Sequence, residues 1–201
     1  KNSIWYLRGY LSKYSGATSG NCGYGTYGST DTSENTVSWS ISGDTLTITA
    51  NKTNGRLKSY RAGSTPWYAN PNIKNIRFAN TVYSSKGSFA HFCSGMRTVV
   101  NIDCTNLRIS NETDSMSKLF YGCSNIPNVS IGNNGKGGIY LPAISNMDLS
   151  AITAINSMFG ACTSLQSVHL NGFFGVGTKR TASALDFGAM FENCQSLGDT
   201  E

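Results

Sequence analysis

Six cysteines (Cys22, Cys93, Cys104, Cys123, Cys162 and Cys194) and two histidines (His91 and His169) are the residues whose types could carry chemistry in this 201-residue chain. Zinc takes four nitrogen or sulfur ligands, usually supplied as CxxC pairs or as histidines a few residues away. No CxxC pair exists and neither histidine lies at ligand spacing from a cysteine, so no metal site and no cofactor is expected. A catalytic thiol needs a neighbour that lowers its pKa, and no such neighbour recurs beside the cysteines. Cys93, Cys123, Cys162 and Cys194 instead fall at one place in a repeated apolar frame, where cysteine serves as a small hydrophobe. Cys22 and Cys104 lie outside that set and could pair in a disulfide. His91 is expected to face outward from the first copy of the frame. Asp148 and His169 read as exposed strand residues; a triad would need nucleophile, base and acid to converge, so the expectation is a solvent-facing pair. The stretch "GYGTYG" has neither the Lys-Ser/Thr nor the following helix of a phosphate loop. The chain is not expected to be an enzyme.

The frame that holds the cysteines is the strongest pattern present. "MSKLFYGCSNIPNVSI" (116–131) and "INSMFGACTSLQSVHL" (155–170) carry apolar residues or cysteine at the same offsets, 0, 3, 4, 7, 10, 13 and 15. Offsets 0, 3, 4 and 7 are one face of a helix, and offsets 13 and 15 alternate as a strand does. A further copy gives Phe187, Met190, Phe191, Cys194 and Leu197, and a weaker one runs through Phe89, Ala90, Cys93, Met96 and Val99 with Lys86 at its first position. One helical turn plus one strand cannot bury its own apolar face, so the copies are expected to stack. "GNNGKGGIY" (132–140) and "GFFGVGTKR" (172–180) read as loop insertions. The last copy stops before its strand, so the array is expected to continue or to be covered by another chain. Upstream, "VSWSISGDTLTITA" (37–50) reads as a β-hairpin turning at "SGD", and a short strand follows around Ile73, Ile76 and Phe78. The predicted architecture is an α/β repeat solenoid with an N-terminal β-hairpin cap. Its predicted parts are an extension over 1–21, a β-rich cap and first strand over 22–84, and the repeats over 85–201.

Charge is unevenly placed. Residues 1–86 hold ten Lys/Arg against three acidic residues, and residues 87–201 hold six against eight. The basic end, with Lys52, Arg56, Lys58 and Arg61, could attract polyanions such as acidic glycans. No nucleic-acid motif accompanies it, and no apolar run approaches the ~18 residues of a membrane span. The outward strand positions Asn75, Arg77, Asn128, Ser130, Ser167, His169 and Asn171, with Asp148 nearby, would line one sheet face with small polar groups of the kind stacked arrays use for recognition. Aromatics at Trp5, Tyr6, Tyr10, Tyr24, Tyr27 and Trp67 offer a second binding chemistry, stacking on sugars, with Trp39 and Trp67 expected beneath the cap.

The frame resembles the BspA-like leucine-rich repeats of bacterial surface proteins, whose repeat has the form "TSxVTxMxxMFxxCxSLxxLxL". "SAITAINSMFGACTSLQSVHL" (150–170) matches it, and "TASALDFGAMFENCQSL" (181–197) matches it less fully. "NCG" at 21–23, the hairpin, and "STPWY" at 64–68 follow the order of that family's N-terminal cap. The resemblance implies a leucine-rich-repeat solenoid, an extracellular or bacterial cell-surface address, and a non-catalytic role in adhesion or in binding a protein or glycan of a host or neighbouring cell. A carbohydrate-binding accessory module and a structural spacer of a larger surface protein are the alternatives.

Overall fold

Val37, Trp39 and Ile41 alternate with serines, and Leu46 and Ile48 with threonines, so each strand of the expected hairpin has one face to bury. In the computed structural model, which describes residues 16–173 and 185–198, these residues form β3 (Val37–Ser42) and β4 (Thr45–Ala50), antiparallel, with Trp39 opposite Ile48. Gly43 turns the chain at φ +57°, a value that costs glycine nothing. Upstream lie β1 (Ser19–Asn21), paired with β3, and β2 (Gly23–Thr26); downstream is β5 (Gly55–Leu57), paired with β2.

From residue 75 the chain visits the same places in succession. β6 (Asn75–Phe78), β7 (Val82–Tyr83) and β8 (Gly87–Ser88) form one circuit; β9 (Asn101–Asp103), β10 (Leu107–Arg108) and β11 (Thr113–Ser115) form the next. β12 (Asn128–Ile131), β13 (Gly138–Leu141) and β14 (Ser167–His169) extend the first line. The result is an eight-stranded sheet in the order β1-β3-β4-β6-β9-β13-β12-β14, a four-stranded sheet β10-β7-β5-β2, and a two-stranded sheet β11-β8. Isolated parallel bridges continue the two smaller ladders, Ile109 with Met147 and Ser115 with Ala154 and then Asp186. One apolar core runs from Cys22 to Cys194.

The α/β leucine-rich-repeat solenoid with helical turns is overturned: the fold is β-rich, with mixed parallel and antiparallel sheets and no α-helix among the described residues. The segments expected to be helical are successive tight turns. Within one copy Leu119 donates to Met116, Tyr121 to Lys118 and Cys123 to Phe120, all i→i+3 bonds. A left-handed residue interrupts every fourth position: Lys118 and Gly122, Ser157 and Ala161, Ala189 and Asn193, His91 and Gly95 all have φ between +53° and +74°. The intervening amides bond sideways, Lys118 to Asn156, Phe120 to Met158 and Gly122 to Gly160. A helix would spend those same N–H groups four residues back along its own axis. Offsets of 3 and 4 therefore point inward for a reason other than helical pitch.

The sideways bonds also correct the register of the first copy. Cys93 donates to Leu119, and Gly95 to Tyr121, which sets Cys93 beside Phe120 and Gly95 beside Gly122. The first copy thus begins at Phe89 and continues through Phe92, Cys93, Met96, Val99, Ile102 and Cys104, with all these side chains buried. It is a complete frame, three residues later than the cysteine match suggested. Displaced by three, offsets 0, 4, 7 and 10 land on 3, 7, 10 and 13, so the pattern nearly matches itself in the wrong register.

The interior explains the frame chemically. Phe120, Phe159 and Phe191 stack ring on ring with 5.6 Å between centroids and planes within 6°. Beside them the thiols of Cys123, Cys162 and Cys194 reach the carbonyls of Cys93, Phe120 and Phe159 in the preceding turns at 3.1, 3.3 and 3.1 Å. Cysteine at this place is a hydrophobe that also donates a weak hydrogen bond. Trp39, Tyr60, Trp67 and Phe92 join hairpin and first circuit in an edge-to-face cluster, anchored by Trp67 Nε1 donating to the Phe92 carbonyl at 3.2 Å.

Candidate functional site

Tyr27 follows β2, and Tyr83 ends β7, two strands away in the four-stranded sheet. Their rings stack at 4.5 Å and 10°, and the Tyr27 hydroxyl donates to Oδ1 of Asn111, in the turn after β10, at 3.1 Å, which fixes that ring. In β10, Arg108 pairs with Tyr83 in parallel register. Beyond β10 the Ile109–Met147 bridge brings in the segment 145–148. Together the two tyrosines, Arg108, Ser110, Asn146 and Asp148 surround an open cleft of about 280 Å³, completed by Ile109 and Ser145.

The polar groups of this cleft are held but not spent. Asp148 Oδ1 accepts the Ser150 amide at 3.0 Å and its hydroxyl at 2.6 Å, while the Asp148 amide donates to the Ile109 carbonyl at 2.8 Å. That pins the carboxylate, and among the described residues no side chain or amide donates to Oδ2. Arg108 Nη1 is shielded from water and has no hydrogen-bond partner among the described residues. A buried polar group without a partner carries a desolvation cost of roughly 1–3 kcal/mol. Neither group is in an ion pair with the other: the two bridges among the described residues join Lys52 with Asp31 and Arg56 with Glu112.

Of the residues singled out in the sequence, Asp148 and Tyr27 belong to this cleft. Tyr83, Arg108, Ser145 and Asn146 went unnoticed, because they lie in stretches with no motif and meet only through the parallel pairing of three circuits. His169 is exposed on the eight-stranded sheet, whereas Asp148 sits beside the four-stranded one, so the structure does not bring the pair together.

The polar strand positions separate into two groups. Asn75 and Arg77 are on β6, where Asn75 Nδ2 donates to Asp44 Oδ1 at 3.3 Å and Arg77 Nε to Thr47 Oγ1 at 3.1 Å. Asn128 and Ser130 are buried, each 3% exposed. The insertion read as a loop contributes β13, which enters the sheet between β9 and β12, and its leading turn consumes both side chains. Asn128 Nδ2 donates to the Gly137 carbonyl at 3.2 Å, and Ser130 Oγ to that of Gly132 at 2.9 Å. Ser167 Oγ donates to Asn128 Oδ1 at 2.6 Å. Asn171 is exposed in the turn after β14 rather than on a strand. The insertion 172–180 falls, after Phe173, outside the described residues, as do Trp5, Tyr6 and Tyr10.

Of the four basic residues of the cap, one is buried and two are engaged by neighbouring side chains. Arg56 is buried; its Nη1 meets Glu112 Oε2 at 2.7 Å and its Nε the Tyr24 carbonyl at 3.1 Å. Lys52 pairs with Asp31 at 3.3 Å, and the Ser33 hydroxyl and amide, with Lys52, hold the Asp31 carboxyl at about 2. Lys58 lies over the Tyr60 ring, 5.3 Å from its centroid, and Arg61 is exposed.

All six cysteines are free and buried, so Cys22 and Cys104 do not bridge. Burial raises every thiol, with Cys22 and Cys162 each pushed up to about 12. His91 is half-buried rather than outward, and burial, then the Lys118 charge, lower its pKa. Among the described residues no group of three His, Cys, Asp or Glu side chains is placed to hold a metal ion, and no helix is long and apolar enough to cross a membrane.

Comparisons with protein-family models, curated proteins and solved structures found no match for this chain, so none of them ties it to the BspA-like family that its repeats resemble.

Proposed function

We propose that this is a non-catalytic binding protein that takes a carbohydrate ligand in the Tyr27–Tyr83 cleft and works outside the cell or at a bacterial cell surface. The observation that carries this reading is the fixed tyrosine stack bordering a cleft whose other walls offer a guanidinium, a carboxylate, an amide and hydroxyls. A pyranose ring has an apolar C–H face and a rim of hydroxyls, so it is matched by an aromatic surface beside oriented polar groups. About 280 Å³ is close to the lower end of the ~300–1,000 Å³ range of small-molecule pockets. That suits one or two sugar units, not a folded partner. The extracellular address rests on the ligand class, since polymeric sugars are met chiefly at cell surfaces and in matrices. The burial of Trp67 removes it from the aromatics that could stack on a sugar, whereas the Tyr27–Tyr83 pair borders the cleft.

The test is retention on immobilised glycans and matrix proteins at low and high salt, for the native chain and for Tyr83→Ala with its unfolding midpoint measured alongside. The expected result is glycan retention that survives salt and falls at least tenfold in the folded variant. Retention unaffected by Tyr83→Ala would overturn the cleft as the site. Retention on matrix protein alone would move the ligand to the open half of the sheet around Asn75 and Arg77, and a blank on every surface would leave a spacer role.

A further inference from the structure

Building on the carbohydrate reading of the cleft, we infer that its ligand is an uncharged sugar held by adjacent hydroxyls, and that acidic sugars are disfavoured there. The lining carries one cation, Arg108, and one anion, Asp148, and among the described residues neither has an ion-pair partner. A sugar hydroxyl is both donor and acceptor. One hydroxyl can give its proton to Asp148 Oδ2 while it or its neighbour accepts from the cleft-facing part of the Arg108 guanidinium.

A uronic or sialic acid would satisfy Arg108 equally well, but its carboxylate would then share a cleft of about 280 Å³ with the Asp148 carboxylate. Like charges brought into one cleft repel, which weakens binding of an acidic sugar relative to a neutral one. Asp148 cannot readily swing away, because Ser150 holds Oδ1 through both its amide and its hydroxyl. A site for acidic sugars would be expected to have a neutral residue at 148, so the carboxylate acts as the element that rejects them. The remaining wall groups, Ser110 and Asn146, are uncharged and add hydrogen-bonding capacity of either sense.

The experiment compares the intact chain with Asp148→Asn and Arg108→Gln on an array of neutral oligosaccharides (gluco-, galacto- and manno-configured) and acidic ones (oligogalacturonate, sialyllactose). Asparagine keeps an oxygen for Ser150, so the loop geometry survives, and circular dichroism with unfolding midpoints checks both variants. The expected result is binding confined to neutral sugars, weakened at least tenfold by either substitution. Acidic sugars should gain binding only in Asp148→Asn; acidic sugars bound by the native chain as tightly as neutral ones, with no gain in Asp148→Asn, would overturn the inference and leave the carbohydrate reading intact. Neutral binding unchanged in both variants would also overturn it. Failure of the native chain to bind any sugar would overturn the carbohydrate reading itself, and this inference with it.

Discussion

Ala161 is the residue at which the turn architecture and the helical reading demand opposite outcomes. Its φ is +57°, and the residues at the same place in two earlier circuits, Gly95 and Gly122, both have φ +74°. Holding an L-residue in the left-handed region costs roughly 1–2 kcal/mol. Replacing Ala161 by glycine removes that strain. Against the gain stand glycine's extra chain entropy in the unfolded state, roughly 0.5–1 kcal/mol, and the loss of one half-buried methyl. The Ala161 amide, which donates to the Glu192 carbonyl at 2.7 Å, is unaffected. With the methyl at about 0.4 kcal/mol, the net expectation is a stabilisation of roughly 0.1–0.6 kcal/mol, a rise of up to about 2 °C in midpoint for a chain of this size. Were 155–162 helical, the same substitution would destabilise by about 1 kcal/mol. Thermal and urea unfolding of Ala161→Gly decides the matter by sign, with Ser157→Gly, at φ +53°, as an independent repeat. Destabilisation of both variants by about 1 kcal/mol would refute the reasoning.

Phe159→Ala removes the middle ring of the Phe120–Phe159–Phe191 stack and should cost about 3–5 kcal/mol, whereas exposed His169→Ala should leave the urea midpoint almost unchanged; equal midpoints would overturn the inward and outward assignment. Alkaline pH should weaken the fold through its thiols. Their ordinary value is 9.0 and burial raises it in the native state. Below that value both states keep their protons and the contribution is fully present; above it the unfolded chain releases protons that the native chain retains. Stability then falls by up to about 1.4 kcal/mol per pH unit for each thiol, until the raised native value is reached. Unfolding midpoints followed from about pH 7 to 11 should be level at first and then fall above 9, less steeply in Cys162→Ala, and a level profile throughout would refute it.

The alternation in 37–50 was enough to define the hairpin and its turn, because a strand with one buried face writes its geometry as a period of two. The recurrence of Met/Ile, Phe and Cys from 116 to 194 was enough to show that segments stack, since each is too short to bury its own apolar side. It did not distinguish a helix from consecutive tight turns: both place residues three and four apart on one side, and the deciding feature is whether Lys118, Phe120 and Gly122 bond along the chain or across to the next circuit. Nor did it fix the first register, which rests on Cys93 lying beside Phe120 rather than beside Cys123. Asn128 and Ser130 looked like exposed strand residues by alternation alone. They are buried because β13, whose glycine- and asparagine-rich lead-in reads as a loop, finds its hydrogen-bond partners on β9 and β12. The cleft is likewise a tertiary product, for Tyr27, Tyr83, Arg108 and Asp148 come from four separated stretches that carry no shared spacing. Period and composition record what each segment buries, whereas which neighbour covers it is set by backbone pairing between segments far apart in the chain.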